Sequence, residues 1–406
     1  MSVYLLATLD TKGEEADFVR GRLISCGVDV KLVDTGCIGT PAAEADVPRE
    51  SVFQAAGTSL SEMQAAADRG LAVKRAAEGV SRLATRWYAE GKLRGVLGIG
   101  GSAGTTIGTA AMRTLPLGVP KLMVSTLASG QVRQYVGDKD ILMLNSVVDI
   151  LGINRISRTV LSSAARAMAG MVRFADREED VEDKPLIAAT MFGVTTPCVE
   201  RAREVLMRAG FEVLVFHATG GGGQAMESLI DDGLIAGVLD ITTTELADEL
   251  VGGVLSAGPN RLTAAARRGV PQVVSVGATD MVNFHAPETI PEAFQGRLFY
   301  QHNPTVTLMR TTPEENIRIG EEIGRKVSIS TGPAAVLFPK RGVSAIDQTG
   351  QPFDDGRARN ALLEAIRSTL GDVELVELDA HINDAAFAQA AAEKLLQLIR
   401  TKEPGA

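Results

Sequence analysis

Two stretches of the chain repeat one order of elements, and that repetition limits the folds open to it. The first has an apolar run at residues 4–8, a helical segment at 14–25, Gly27, a second run at 28–33 and then Asp34-Thr35-Gly36. The second has an apolar run at 186–190, a helical segment at 197–208, Gly210, a run at 211–216 and then His217-Ala218-Thr219-Gly220. Each half continues with another strand signal, at 95–99 and 237–241, and with Gly118-Val119-Pro120 in one half against Gly269-Val270-Pro271 in the other. Strands alternating with helices predict parallel sheets covered by helices. The expected fold is therefore α/β, two Rossmann-like domains with mainly parallel sheets and an interdomain cleft, at residues 1–178 and 185–406. The expected boundary is a charged linker at 173–184, where Asp176-Arg177-Glu178-Glu179-Asp180 breaks the apolar pattern.

Composition agrees with that plan and removes several classes of function. With 406 residues and 45% apolar content the chain can build two cores, and only 4% aromatics leaves Val, Ile, Leu, Ala and Met to fill them. A net charge of −9 argues against a broad nucleic-acid footprint. Cys26, Cys37 and Cys198 form no paired spacing, as expected of reduced thiols in a cytoplasmic protein. The run at 3–7 is followed at once by Asp10 and Lys12, so no leader is expected, and no stretch reaches the roughly 18 apolar residues of a membrane span.

The most chemical stretch is the exit from the strand at 95–99, Gly98-Ile99-Gly100-Gly101-Ser102-Ala103-Gly104-Thr105-Thr106. Glycines let a ligand approach the backbone, Ser102, Thr105 and Thr106 offer hydroxyls, and a helix start supplies free N–H groups and a positive dipole end. No Walker lysine follows, and no acid stands about 20 residues on to take a ribose, so neither named phosphate motif applies. The competing reading is a glycine turn that packs a helix tightly on its sheet.

Ligands of open parallel sheets lie beyond the carboxyl ends of the strands. In the first half that edge gathers Asp10, Thr11, Lys12, Gly36, Gly100, Gly101, Ser102, Gly104, Thr105, Thr106, Ser125 and Thr126, the candidate nucleotide contacts. Thr11-x-x-Glu14 is also a capping box, and Lys12 is equally readable as a surface charge. In the second half Asp240, Glu245, His285 and His302 are the candidate acid–base residues of an enzymatic alternative, although Thr242-x-x-Glu245 again reads as a capping box. Asp280, His285 and His302 are the set a metal would need to draw together, and Ser344 and Asp347 read as cleft residues or as an ordinary turn. The glycines at 220–223 are either mobile or clamped on something. The four histidines have no paired spacing, so no metal site is assigned. An Ala- and Ser-rich helix at 157–171 reads as a core helix or as a dimer contact.

Taken together, Ala7-Thr8-Leu9-Asp10-Thr11-Lys12-Gly13, residues 98–106, Lys121-Leu122-Met123-Val124-Ser125-Thr126, Asn154-Arg155-Ile156-Ser157-Arg158, residues 240–245, Tyr300-Gln301-His302-Asn303-Pro304-Thr305, residues 342–347 and Leu378-Asp379-Ala380-His381-Ile382-Asn383 carry a resemblance over essentially the whole chain. The chain resembles the Tm-one-like ATP-binding domain family, bacterial proteins of uncharacterised function similar to the amino-terminal region of the tomato mosaic virus resistance protein. The resemblance implies two Rossmann-like domains, an ATP site, with or without magnesium, and a homodimer. It supplies no reaction. The expectation is an ATP-binding protein with phosphates on residues 98–106. The alternatives are an enzyme acting on a small phosphorylated or ATP-activated metabolite in the interdomain cleft, and an interaction scaffold stabilised by nucleotide.

Overall fold

The computed structural model describes residues 1–130, 132–175 and 183–402. The chain divides into two compact units, Met1–Val181 and Glu182–Ala406. The charged run at 176–180 lies outside the described residues.

The first unit is a five-stranded parallel sheet in the order β2-β1-β3-β4-β5, with β1 (Ser2–Ala7), β2 (Val30–Asp34), β3 (Leu93–Gly100), β4 (Lys121–Ser125) and β5 (Leu142–Asn145). Its helices are α1 (Leu9–Ser25), α2 (Arg49–Ala55), α3 (Leu60–Ala66), α4 (Arg69–Ala89), α5 (Ser102–Arg113), α6 (Arg133–Val136) and α7 (Arg155–Phe174). The central strands are buried along their length apart from the half-buried Arg94, as a sheet covered on both faces requires. One face packs Val19 and Leu23 of α1 with Leu161, Ala165, Met168 and Val172 of α7. The small residues of α7 thus line the core, and Ala164 and Ala165 are fully enclosed. The other face packs α2, α4 and α5, with Tyr4 stacked on Trp87 at 4.1 Å.

The second unit repeats the order. Its six-stranded sheet runs β14-β13-β9-β8-β6-β7, formed by β6 (Leu186–Met191), β7 (Glu212–His217), β8 (Ile235–Thr242), β9 (Gln272–Gly277), β13 (Ala334–Pro339) and β14 (Glu374–Leu378), all parallel. Helices α8 (Thr196–Arg208), α9 (Gly221–Asp231), α10 (Thr244–Val251), α11 (Ala264–Arg268), α12 (Pro313–Ser328), α13 (Gly356–Thr369) and α14 (Ala385–Lys402) surround it. Strands β10 (Met281–Phe284), β11 (Phe299–Asn303) and β12 (Val306–Arg310) form a separate antiparallel sheet in the order β10-β12-β11. Thr312, Pro313 and Glu315 form the full capping box that starts α12.

Helices α3 and α4 are separate, because Ala67 adopts a left-handed φ of 50° and Asp68 caps a new start by accepting the Leu71 N–H at 3.0 Å. One local expectation fails. Neither Thr11-x-x-Glu14 nor Thr242-x-x-Glu245 is a capping box. Helix α1 begins two residues before Thr11, and the Glu245 carboxylate is committed elsewhere, as described below.

Candidate functional site

At the carboxyl edge of the first sheet, two carboxylates tie neighbouring strand exits together. Asp34 Oδ1, at the end of β2, accepts the N–H groups of Leu9 at 3.0 Å and Gly36 at 2.8 Å. Asp10, in the first turn of α1, reaches back with Oδ2 to accept N–H groups from Cys37 at 3.1 Å, Ile38 at 2.9 Å and Gly39 at 3.3 Å. A Cβ at 36 would lie 2.6 Å from Asp10 Oδ1, so any other residue there would displace the Asp10 carboxylate from these bonds. Burial raises the Asp34 carboxyl above its ordinary range despite the Gly36 and Leu9 N–H groups and the Arg49 charge. The Asp10 Oδ1 atom is enclosed without a hydrogen bond.

The glycine loop combines packing with open donors. A Cβ on Gly100 would lie 2.8 Å from Gly104 Cα, so these glycines bring the start of α5 against the end of β3. Gly101 caps the helix without a side chain, and Thr105 N–H to Gly101 O, at 2.8 Å, is the first bond of the helical ladder. The N–H groups of Ser102, Ala103 and Gly104 precede that bond and are the ones a helix start leaves for a ligand. The hydroxyls are divided. Thr105 and Ser125 face each other at 2.6 Å, both fully buried, and Thr106 donates to Ser102 O at 2.9 Å. Ser102 is exposed, and the half-buried Thr126 has its Oγ1 beside Gly101. Of the expected hydroxyl donors, Ser102 and Thr126 are therefore the ones not already closed on the protein.

A pocket of about 70 Å³ connects these parts, lined by Thr8, Asp10 and Thr11 of the α1 start, Thr35 to Ile38 after β2, Arg69, Ala72 and Val73 of α4, and Ala103 and Ile107 of α5. It shares Cys37, Ile38, Arg69 and Ala72 with a second pocket of about 390 Å³ that Met63, Gln64, Ala67 and Asp68 complete. The starts of three helices, α1, α4 and α5, border the smaller pocket. Arg69 lines both and stands at the first residue of α4, next to the Asp68 carboxylate that caps the helix. The sequence reading assigned Arg69 no role, and the available signal was Asp68-x-x-Leu71 as a helix start. Lys12 does not line either pocket; its ammonium donates to the Ile150 carbonyl and its φ of −133° kinks α1.

The second unit arranges its candidates differently. Asp240 and Glu245 are fully buried around Arg261, which is itself enclosed. Arg261 holds Asp240 through two bonds of 2.6 and 2.7 Å, Glu245 at 2.6 Å and Glu227 at 3.4 Å. Glu245 Oε1 also accepts the N–H groups of Gly220 at 2.7 Å and Gly223 at 3.1 Å, so the glycine run at the start of α9 is clamped by an internal carboxylate. Burial raises the Glu245 carboxyl above its ordinary range, and Arg261 opposes that push. His285 and His302 are exposed, at the end of β10 and on β11. The structure thus keeps the four acid–base candidates in two different settings, two bonded to Arg261 in the interior and two in solvent. Burial also pushes the Cys198 thiol up to about 12, an inert group. Among the described residues no group of three or more His, Cys, Asp or Glu side chains is placed to hold a metal ion, and no helix is long and apolar enough to cross a membrane.

Comparison with known proteins matches each unit to a family model. Residues 1–177 match the N-terminal domain of the uncharacterised protein family UPF0261, and residues 184–399 match its C-terminal domain. A UPF0261 protein of Clostridium tetani is 48% identical over 98% of both chains, and one of Rhizobium meliloti is 49% identical over 96% of this chain and 97% of that one. The ToMV resistance protein Tm-1(GCR237) of Solanum lycopersicum is 42% identical over 98% of this chain, which spans 55% of the tomato protein. Among solved structures, a UDP-N-acetylglucosamine 2-epimerase from Rickettsia bellii is 10% identical, with a TM-score of 0.23 over 99% of this chain and 96% of that one.

Proposed function

The chain belongs to the UPF0261 family, and from that premise and the pocket of its first unit we propose that it binds a nucleotide there, ATP with or without magnesium. The observation that carries this reading is the convergence of three helix starts and the Arg69 guanidinium on one pocket. Phosphates would lie on the open N–H groups of residues 102–104, with the Ser102 and Thr126 hydroxyls at hand and Arg69 as the point of positive charge. The base and sugar would take the larger, mainly apolar pocket beside α3 and α4. Magnesium fits as a companion of the ligand: one carboxylate, Asp10, borders the phosphate side, and such ions are commonly held by one or two carboxylates together with substrate phosphates. Its contribution would be to neutralise phosphate charge next to Asp10.

A thermal-shift titration with ATP, with and without magnesium, tests the reading. Ligand at 100 times its dissociation constant stabilises by about 2.7 kcal/mol. Arg69→Ala is expected to weaken binding about 10-fold or more, the usual worth of a hydrogen bond to a charged group. Lys12→Ala is expected to leave affinity unchanged. No shift with any adenine nucleotide, or an unaltered affinity in the Arg69 variant, would overturn the reading.

A further inference from the structure

At the carboxyl edge of the second sheet, a cluster of charged groups leaves one carboxyl oxygen without a partner. Asp280 follows β9 and Ala278, a non-glycine residue at a φ of +57° whose N–H donates to Val343 O at 2.9 Å. The Asp280 side chain is enclosed, with 1% of the residue exposed. Its Oδ2 accepts the Ser344 hydroxyl at 2.8 Å, and its Oδ1 has no hydrogen bond.

The neighbours explain why Asp280 is left out. Asp347, on the loop after β13, receives Arg359 of α13 at 2.7 Å and Arg310 of β12 at 3.4 Å on Oδ1, and the Val343 N–H at 3.0 Å on Oδ2. Arg310 directs its remaining N–H groups to the carbonyls of Phe353 at 2.8 Å, Asp280 at 3.1 Å and Thr311 at 3.2 Å, and to Thr311 Oγ1 at 2.9 Å. On the α12 side, Arg297 and Glu315 neutralise each other at 2.7 Å. His381, after β14, has Nε2 on the Ser344 carbonyl at 2.8 Å, while its Nδ1 accepts the Asn383 N–H at 3.1 Å. With Nδ1 accepting, Nε2 is the ring nitrogen that donates to the Ser344 carbonyl. The arginines thus satisfy Asp347, and among the described residues no side chain is bonded to Asp280 Oδ1.

We propose that Asp280 is a proton-binding switch of the second unit: protonated, it lets the loops 277–281 and 342–347 pack against each other, and loss of that proton sets its charge against Asp347 and loosens them. An ionised Asp280 would place a second charge beside Asp347 in an enclosed site, with one oxygen unsolvated and unbonded, whereas the protonated carboxyl keeps the Ser344 bond without that charge. Burial, and then the Asp347 charge, push this carboxyl up to about 7 against the pull of Arg310. A carboxyl raised in the folded state contributes stability that is complete below its unfolded pKa and is lost as pH rises through the folded one. Stability of the second unit therefore falls between about pH 4 and 7 on account of this group.

The test follows the carbonyl stretch of the protonated carboxyl by infrared difference spectroscopy on the full chain from pH 5.5 to 8.5, with thermal melts at the same values. Asp248 is a second buried carboxyl pushed up to about 7, so Asp248→Asn is measured in parallel. The expected result is a component titrating near neutrality that survives in the Asp248 variant and is missing from Asp280→Asn, whose melting loses one proton's worth of pH dependence. Ser344→Ala, which removes the hydroxyl favouring the charged form, is expected to move the component to higher pH. The same variant decides the matter where Asp280→Asn does not fold. Spectra of Asp280→Asn that superimpose on wild type, or a Ser344→Ala midpoint that stays in place, would overturn the proposal.

Discussion

Replacing Arg261 by alanine is expected to cost the second unit about 3–5 kcal/mol, the range found when one partner of a buried ion pair is removed. Asp240 and Glu245 would keep their places, fully enclosed, because Thr190 donates to Asp240 at 2.7 Å and Gly220 and Gly223 donate to Glu245. Both are enclosed, so each would lose its counter-charge inside the protein rather than at its surface. The upward push of burial on Glu245 would then be unopposed by Arg261. Since a raised carboxyl supports the fold only while protonated, the deficit should be smallest in acid and grow as pH rises. Urea denaturation must be followed by circular dichroism or hydrogen exchange, because the single tryptophan, Trp87, reports on the first unit. A loss of about 1 kcal/mol or less, typical of exposed pairs, would show that the network is solvated. Adding Asp240→Asn and Glu245→Gln to an Arg261→Met background should recover most of the loss, since the cost lies in unpaired charge rather than in shape.

That network also marks the limit of what spacing discloses. The repeated strand and helix pattern was legible because buried parallel strands are continuous apolar runs, and the Thr312-Pro313-Glu315 start was legible because all its bonds are local. Thr242-x-x-Glu245 has the same local form, yet Glu245 bonds an arginine 16 residues away and two glycines more than 20 residues back. A motif states which bond is available, and tertiary contacts decide whether a longer-range partner takes it. Arg69 was hidden for a related reason. Alanine favours helix, so nothing at Ala67 signals the left-handed residue that ends α3 and sets Arg69 at a new start. Ser125 ends β4 and Thr105 lies in the first turns of α5, and hydroxyls so placed can satisfy each other, as these two do.

The start of α5 is where phosphate binding is most directly challenged. Ser102 is its exposed first residue, so an aspartate there would bring a carboxylate to the N–H groups that a phosphate would occupy. An acid in the first turn favours the helix dipole by about 0.3–1 kcal/mol, so Ser102→Asp is expected to fold at least as well as wild type. Two like charges about 4 Å apart at a protein surface repel by about 4 kcal/mol, or about a thousand-fold in affinity. The ATP-dependent rise in melting temperature should therefore vanish while the ligand-free melting temperature holds or increases, and those opposite directions exclude simple damage to the fold. Ser102→Asn, which supplies a side chain of the same size without charge, should retain most of the affinity, and higher salt should partly restore binding to the aspartate variant. If Ser102→Asp binds ATP as wild type does, the phosphates do not lie at this helix start, and the tight fit of Gly104 against the strand end accounts for the glycines by itself.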